Sequence, residues 1–228
     1  MTPDEINSNY PRCDKVYTGR TIEKRGFLGI HGHTAVPSDV RSFIRTNDVR
    51  LRQTLATMGI TPRDPAIPAA SQMADSDILQ IVQRWVIDHI TYTDDKASWG
   101  TPEFWQLTDE TLTLKTGDCE DGAILIASLI LTAGVDPWRV RVAAGWVQAG
   151  PGAQRGGHAY VTYCDGSRWY PVDWCYYAEV ASLDKRRTFA ERPEYQDVWF
   201  SFNHEFCWDP TQTTTFAGRA RNRKESNL

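Results

Sequence analysis

The feature that most constrains the fold is a run of residues that would be apolar on every face of a helix. It covers residues 123–133 and consists almost entirely of Ala, Ile and Leu. A helix without a polar face belongs at the centre of a core. Asp118 and Asp121 form the pattern of a capping box in which Asp replaces Glu, and Gly134 is suited to end the helix. The sequence therefore predicts a buried central helix over residues 119–133.

Composition excludes several classes of function. The chain has 228 residues and a formal net charge of −4, which fits one soluble core and gives no reason to expect a nucleic-acid partner. The apolar run is too short to cross a bilayer, so we expect no membrane partner. The N-terminus lacks the basic and apolar regions of a secretory signal, which predicts a cytoplasmic or virion-associated protein. Five cysteines without a C-x-x-C spacing predict neither a disulfide framework nor a zinc ribbon.

The chain divides into three predicted parts. Residues 1–70 have little periodicity and several Pro and Gly breaks, which is typical of an N-terminal arm or a small irregular lobe; it contains one predicted helix near 38–58. Residues 71–210 form the main domain, and its first helix is capped by Asp75 or Ser76. Residues 211–228 are polar and partly basic and predict a flexible tail.

Three strands with a period of two follow the apolar run, at 140–146, 158–164 and 168–174. Asp165-Gly166 is a strong signal for a two-residue type I′ hairpin. That loop places His158 directly opposite Asp173, with Cβ atoms about 4.5–5.5 Å apart. A carboxylate at this distance can accept from one imidazole nitrogen and leave the other free. The alternative is an ordinary His–Asp pair on a hydrated face.

Cys119 is the candidate nucleophile, because the first turn of a helix favours the thiolate that attacks carbonyl groups. The alternative is a small buried cysteine that only packs. Glu120 and Asp121 oppose the thiolate, so a cationic partner is needed, and His158 can provide it. The Cys119 backbone N–H is one candidate oxyanion donor. Candidates for a second donor, each of which can instead be a packing residue, are Gln106, Trp105 and Trp99.

Three segments around these residues resemble the motifs of the transglutaminase-like superfamily, in the same order and with similar separations. They are Gly117-Asp118-Cys119-Glu120-Asp121, Gly157-His158-Ala159-Tyr160-Val161 and Trp169-Tyr170-Pro171-Val172-Asp173. The resemblance covers about residues 75–175. It implies a papain-like α+β core in which the Cys-bearing helix packs on an antiparallel sheet. It also implies that Cys119 is the nucleophile, His158 the base and Asp173 the residue that orients it, with no metal or organic cofactor.

The resemblance predicts an enzyme that cleaves an amide or isopeptide bond through a cysteine acyl-enzyme. Members of this size more often resemble hydrolases than cross-linking transferases, so we expect a peptide or protein substrate, with cell-wall peptides included. A structural or assembly component of a virion or phage tail is the alternative. Its docking segments would be the N-terminal arm and the C-terminal tail.

Two further groups of residues are candidate sites. His31 and His33 supply two metal ligands without a third nearby, so no metal site is predicted. The aromatic residues after Asp173 are expected mainly in the core, although a few could line a groove for peptide or glycan. They are Trp174, Tyr176, Tyr177, Tyr195, Trp199, Phe200, Phe202, Phe206 and Trp208.

Overall fold

The computed structural model describes residues 10–25, 31–209 and 216. Its α-helices are α1 (Val49–Thr57), α2 (Asp75–His89), α3 (Asp95–Trp99), α4 (Thr108–Leu114) and α5 (Cys119–Thr132). Its strands are β1 (Val16–Tyr17), β2 (Thr21–Arg25), β3 (His31–Ala35), β4 (Ser38–Asp39), β5 (Thr91–Tyr92), β6 (Thr116–Gly117), β7 (Val140–Val147), β8 (Gly156–Cys164), β9 (Trp169–Val172), β10 (Tyr195–Phe202) and β11 (Cys207–Trp208).

Helix α5 is the predicted central helix. Every residue from Glu120 to Thr132 is buried, and the capping box of Asp118 and Asp121 is present at its start. At its end the Gly134 N–H donates to the Leu131 carbonyl at 3.0 Å, and the next N–H returns to Ile130 at 3.3 Å. Gly134 has φ = 93°, which a glycine adopts without strain.

A five-stranded antiparallel sheet packs against this helix. Its strand order is β11-β10-β7-β8-β9, and α5 lies mainly on β7 and β8. The apolar residues of the α5-facing side, among them Val142, Val161 and Val172, join the main core. The expected α+β architecture is therefore present, with the Cys-bearing helix on an antiparallel sheet.

The hairpin between β8 and β9 corrects the predicted register. Val161 pairs with Val172 and Cys164 with Trp169, so the loop has four residues (165–168) and not two. The Asp165 carboxylate shapes this loop by accepting the N–H groups of the third and fourth loop residues, both at 2.8 Å. The pairing moves by two positions, and a shift of two keeps His158 and Asp173 on the same face of the sheet.

The N-terminal part also differs from the prediction. The expected helix over 38–58 is a 3₁₀ turn, Val40–Phe43, followed by the separate helix α1, which ends before Gly59. Leu51 and Leu55 of α1 are fully buried in the same core as α5. This section of the predicted arm or lobe therefore packs into the main core, whereas the domain boundary at residue 70 stays a prediction. Apart from Phe216, the predicted tail lies outside the described residues.

The start of α2 requires a smaller correction. Its cap residue is Ala74, and neither Asp75 nor Ser76 caps the helix. Asp75 forms an ion pair with Arg63 instead, and the Ser76 hydroxyl accepts the Leu183 N–H at 2.9 Å.

A second core lies apart from the α5 core. It contains Tyr160 of β8, Tyr195 of β10 and Trp208 of β11, together with Tyr10 and Phe216 from the flanks. Most of the aromatic residues after Asp173 are thus packing residues, whereas Tyr176 and Trp199 are exposed. Within the described part of the chain, no helix is long and apolar enough to span a membrane.

Candidate active site

Cys119 is the first residue of α5, and its thiol lies against strand β8. The sulfur takes a hydrogen bond from the Ala159 backbone N–H, and its own hydrogen is directed to Glu120 Oε2 at 3.1 Å. Burial raises the pKa of the thiol well above its usual value, and the negative charges of Glu120 and Asp118 raise it further. The expected opposition from neighbouring carboxylates is therefore present, and it adds to the larger effect of burial.

His158 and Asp173 form a buried pair. His158 Nε2 lies 2.7 Å from Asp173 Oδ2, and both side chains are almost fully excluded from solvent. Asp173 Oδ1 accepts the Cys175 N–H at 3.2 Å, and Oδ2 also accepts the Tyr195 hydroxyl at 2.9 Å. Burial alone would raise the pKa of Asp173, but the hydrogen bonds outweigh it and the pKa is lowered. Asp173 is thus kept as a carboxylate.

The remaining nitrogen of His158 is available for chemistry. Nδ1 is buried and has no hydrogen-bond partner among the described residues. Because the Cys119 sulfur is bonded to the N–H of Ala159, the thiol sits beside the residue that follows His158 in the chain. The structure therefore brings a thiol next to a histidine whose far nitrogen is held by a carboxylate.

The three oxyanion candidates have different environments. Gln106 is 1% exposed, and neither end of its side-chain amide has a partner within the described residues. Its backbone N–H donates to Asp121 Oδ1 at 2.7 Å, which ties it to α5. Trp105 donates its indole N–H to Glu103 at 2.6 Å, and its ring stacks on Tyr17, so it is a packing residue.

Trp99 has a similar packing role. Its ring lies 4.3 Å from the ring of Phe104, and it remains partly exposed. Of the three candidates, Gln106 alone has a buried side-chain donor without a partner among the described residues.

A cluster of carboxylates lies behind Cys119. Oxygen atoms of Asp95, Glu103 and Glu120 lie within 4.8 Å of one another, as do those of Asp95, Asp118 and Asp121. Burial and mutual repulsion raise the pKa of Asp95 to about 6 and that of Asp121 to about 8, and they raise the pKa of Asp118 and Glu120 as well. The sequence motif showed three of these residues, but Asp95 and Glu103 reach the cluster only through the fold.

Aromatic residues border the site on its exposed side. Tyr92 on β5 pairs with Gly117 on β6, two residues before Cys119. Its hydroxyl lies 2.8 Å from the hydroxyl of Tyr176, and the Tyr176 ring stands edge-on to His158 at 5.2 Å. Both tyrosines are exposed, so they form a rim that extends from the Cys119 side of the site to the His158 side.

His31 and His33 are two potential metal ligands. Both residues lie on β3, but their side chains are outside the described part of the chain. Within that part, the carboxylate cluster is the group best suited to a cation, because hard divalent cations prefer oxygen ligands.

Comparison with known proteins agrees with the fold and the motifs. Residues 67–174 match the sequence model of the transglutaminase-like superfamily, so this stretch is a transglutaminase-like core and the resemblance is confirmed. No curated protein sequence shows significant similarity to the chain.

Solved structures of Legionella pneumophila LapG are similar in fold. One has 19% sequence identity and a TM-score of 0.49, and the match covers 74% of this chain and 84% of LapG. An EGTA-treated LapG structure has 16% identity and a TM-score of 0.50, with 77% of this chain and 86% of LapG covered. A calcium-bound LapG structure has 15% identity and a TM-score of 0.49, with coverage of 77% and 87%.

Proposed function

We propose that the protein is a thiol-dependent acyl-transfer enzyme with Cys119 as nucleophile, His158 as base and Asp173 as the orienting group. The observation that carries this proposal is the buried His158–Asp173 hydrogen bond, with His158 Nδ1 unpaired among the described residues and the Cys119 sulfur bonded to the N–H of the next residue, Ala159. A nucleophile, a base and a group that orients the base are the requirements of an acyl-transfer site.

The reaction follows from these positions. The Cys119 proton moves to His158 Nδ1, and the sulfur forms a bond to the carbonyl carbon of the substrate amide. The oxyanion is stabilised by the Cys119 backbone N–H, with the unpaired Gln106 amide as the second candidate donor. His158 then protonates the leaving amine as the C–N bond breaks. Water, activated by the same nitrogen, releases the acid and regenerates the thiol.

We favour hydrolysis of peptide or isopeptide bonds over cross-linking. The likeness to the superfamily supports this choice, because its members of similar size without additional β-domains resemble hydrolases. Peptide or protein substrates, including cell-wall peptides, follow from the same likeness. A role as a virion or phage-tail component is the alternative. It is favoured by the position of the Cys119 thiol beside Glu120, because burial and nearby carboxylates raise the pKa of the resting thiol.

One experiment separates these functions. Three proteins are compared: wild type, Cys119→Ala and the control Cys13→Ala. Each is incubated with peptide, glutamine and wall-peptide libraries, and the masses of the products are measured by mass spectrometry. We expect hydrolysed products and a Cys119 acyl adduct with wild type and Cys13→Ala only. Mass gains from added amines would instead indicate transfer. If all three proteins give no product, and iodoacetamide labels Cys119 no faster than a model thiol, the enzyme proposal is wrong and the binding role is supported.

We also propose that the carboxylate cluster binds a divalent cation that assists this reaction. Buried oxygens of Asp95, Asp118 and Glu120 have no partner among the described residues, and buried carboxylates without counter-charges are costly. A cation there would offset the charges that raise the pKa of Cys119.

The cation proposal has its own test. Calcium or magnesium chloride added to EDTA-treated protein should raise the unfolding temperature of wild type and of Asp88→Asn, a control at an exposed position of α2. The rise should be smaller in Asp95→Asn. An equal rise in all three proteins, or no rise in any, would refute the site.

A further inference from the structure

Tyr195 contacts the proposed catalytic residues from outside the family core. It opens strand β10, beyond the matched residues 67–174, and pairs with Val147 of β7. Its hydroxyl donates to Asp173 Oδ2 at 2.9 Å, and the same oxygen lies 2.7 Å from His158 Nε2. One carboxylate oxygen thus accepts hydrogen bonds from donors on two different strands.

The Tyr195 side chain is held firmly in this position. It is 6% exposed, and its ring packs edge-to-face on Tyr160 at 4.6 Å and on Phe189 at 5.3 Å. The Arg192 guanidinium lies over the ring, 5.2 Å from its centre. A tyrosine packed on several sides has little rotational freedom, so its O–H group is a fixed donor.

The main chain at Asp173 is supported by a second contact, which a residue of the C-terminal region holds in place. The Gln83 side-chain amide of α2 donates to the Asp173 carbonyl. Arg186 holds that amide through a 2.7 Å bond to Gln83 Oε1, and it also donates to the Pro171 carbonyl at 3.1 Å. Gln83 and Arg186 are both buried. The Asp173 carboxylate is therefore held by Tyr195, which follows the family core, and the Asp173 backbone is held by Gln83, whose amide is fixed in turn by Arg186.

We propose that Tyr195 is a positioning residue that locks the Asp173 carboxylate against His158; this rests on the proposed function. The terminal torsion of an aspartate is broad, so a carboxylate keeps one orientation only when donors hold both of its oxygens. The Cys175 N–H holds Oδ1, and Tyr195 holds Oδ2 together with His158. A fixed Oδ2 keeps the imidazole orientation in which Nδ1 is left free for the thiol.

The first test measures position without catalysis. In a Cys119→Ala background, the His158 Nε2–H resonance is recorded by NMR for Tyr195→Phe and for Tyr160→Phe. Tyr160 is a matched control, since it is buried in the same aromatic cluster and its hydroxyl has no partner among the described residues. We expect the resonance to shift or broaden in Tyr195→Phe and to stay unchanged in Tyr160→Phe. An unchanged resonance in Tyr195→Phe overturns the proposal, whether or not the protein proves to be an enzyme.

The second test measures the effect on reactivity with Cys119 intact. p-Nitrophenyl acetate acylates an activated thiol and releases p-nitrophenol, so it probes the site before the natural substrate is known. We expect Tyr195→Phe to reduce the acylation rate constant about tenfold, the effect of one hydrogen bond to a charged group, with little change in the half-saturating ester concentration. Tyr160→Phe should react like wild type. Equal rates in the two variants would contradict the positioning role, whereas no acylation of the wild-type Cys119 would instead contradict the proposed function.

Both variants retain the phenyl ring, so the aromatic cluster should pack as before. Circular dichroism and the unfolding temperature confirm this for each variant before its rate is compared. A loss of acylation in Tyr195→Phe accompanied by an equal loss in Tyr160→Phe would show a packing effect and would also overturn the proposal.

Discussion

Gly122 provides the sharpest test of how α5 and the site are packed together. It lies in the first turns of α5 and faces the indole ring of Trp174, the residue that follows Asp173. A Cβ atom at position 122 would lie 2.1 Å from Trp174 Cε2 and 2.2 Å from its Nε1. The indole is rigid and 5% exposed, and its N–H donates to the Cys119 carbonyl at 3.2 Å. The ring therefore cannot yield without disturbing both Cys119 and Asp173.

Two effects of Gly122→Ala oppose each other. Alanine in a helix is favoured over glycine by about 1 kcal/mol. Overpacking against a rigid ring costs about 1–3 kcal/mol, and loss of the Trp174 hydrogen bond adds about 1 kcal/mol. We expect the overpacking to win, with a net destabilisation of about 1–3 kcal/mol. For a chain of this size each kcal/mol lowers the unfolding temperature by about 2–4 °C.

The assay compares urea midpoints and unfolding temperatures of Gly122→Ala with those of Gly156→Ala. A Cβ at Gly156 would meet no atom within 4 Å, so that control should stay within about 0.5 kcal/mol of wild type. If Gly122→Ala is as stable as wild type, or more stable by the helix-propensity gain, the close approach of Trp174 to α5 is wrong.

Two further predictions concern pH and access to the thiol. Burial raises the pKa of Asp121 to about 8 and that of Asp95 to about 6. Between pH 5 and 8 the folded state therefore binds protons that the unfolded state has lost. The free energy of unfolding should fall as pH rises through this range, by up to about 1.4 kcal/mol per pH unit for one net proton. Urea midpoints at each pH should show a weaker dependence in Asp95→Asn, and stability that rises with pH in this window would contradict the assignment. Tyr92→Phe removes the hydroxyl contact with Tyr176. Because one weak hydrogen bond is lost, iodoacetamide should label Cys119 about two- to fivefold faster, while the other thiols react as before. An unchanged labelling rate would show that the rim does not restrict access to Cys119.

The local features of this chain could be predicted because nearby residues determine them. The apolar run with its capping box and Gly134 defined α5 almost to the residue. The predicted register of the hairpin was wrong because it rested on Asp165-Gly166 alone. In the structure the Asp165 side chain accepts two later N–H groups, and the loop is longer. The error of two residues preserved the face, which is why His158 and Asp173 still meet.

The contacts that complete the site depend on pairing between distant parts of the chain. Tyr195 reaches Asp173 because β10 pairs with β7 in the sheet. No periodicity between residues 147 and 195 indicates that pairing. Asp95 reaches the carboxylate cluster through a bond to the Phe104 N–H that orders the loop before α4. Such residues could not be assigned from spacing, since their partners lie on separately predicted elements.

The helix end, the carboxylates and His158 have different roles around Cys119. A helix N-terminus stabilises a negative charge by about 0.3–1 kcal/mol. Burial beside two carboxylates opposes this and raises the pKa of the thiol well above its usual value, so the helix dipole does not activate the sulfur. What the helix end still supplies is direction, because the Cys119 N–H is fixed by α5 and can face a developing oxyanion. Activation must then come from proton transfer to His158 at the moment of attack, or from positive charge brought to the carboxylate cluster. The two sources are separable, because Asp95→Asn alters only the cluster, whereas Tyr195→Phe alters only the support of His158.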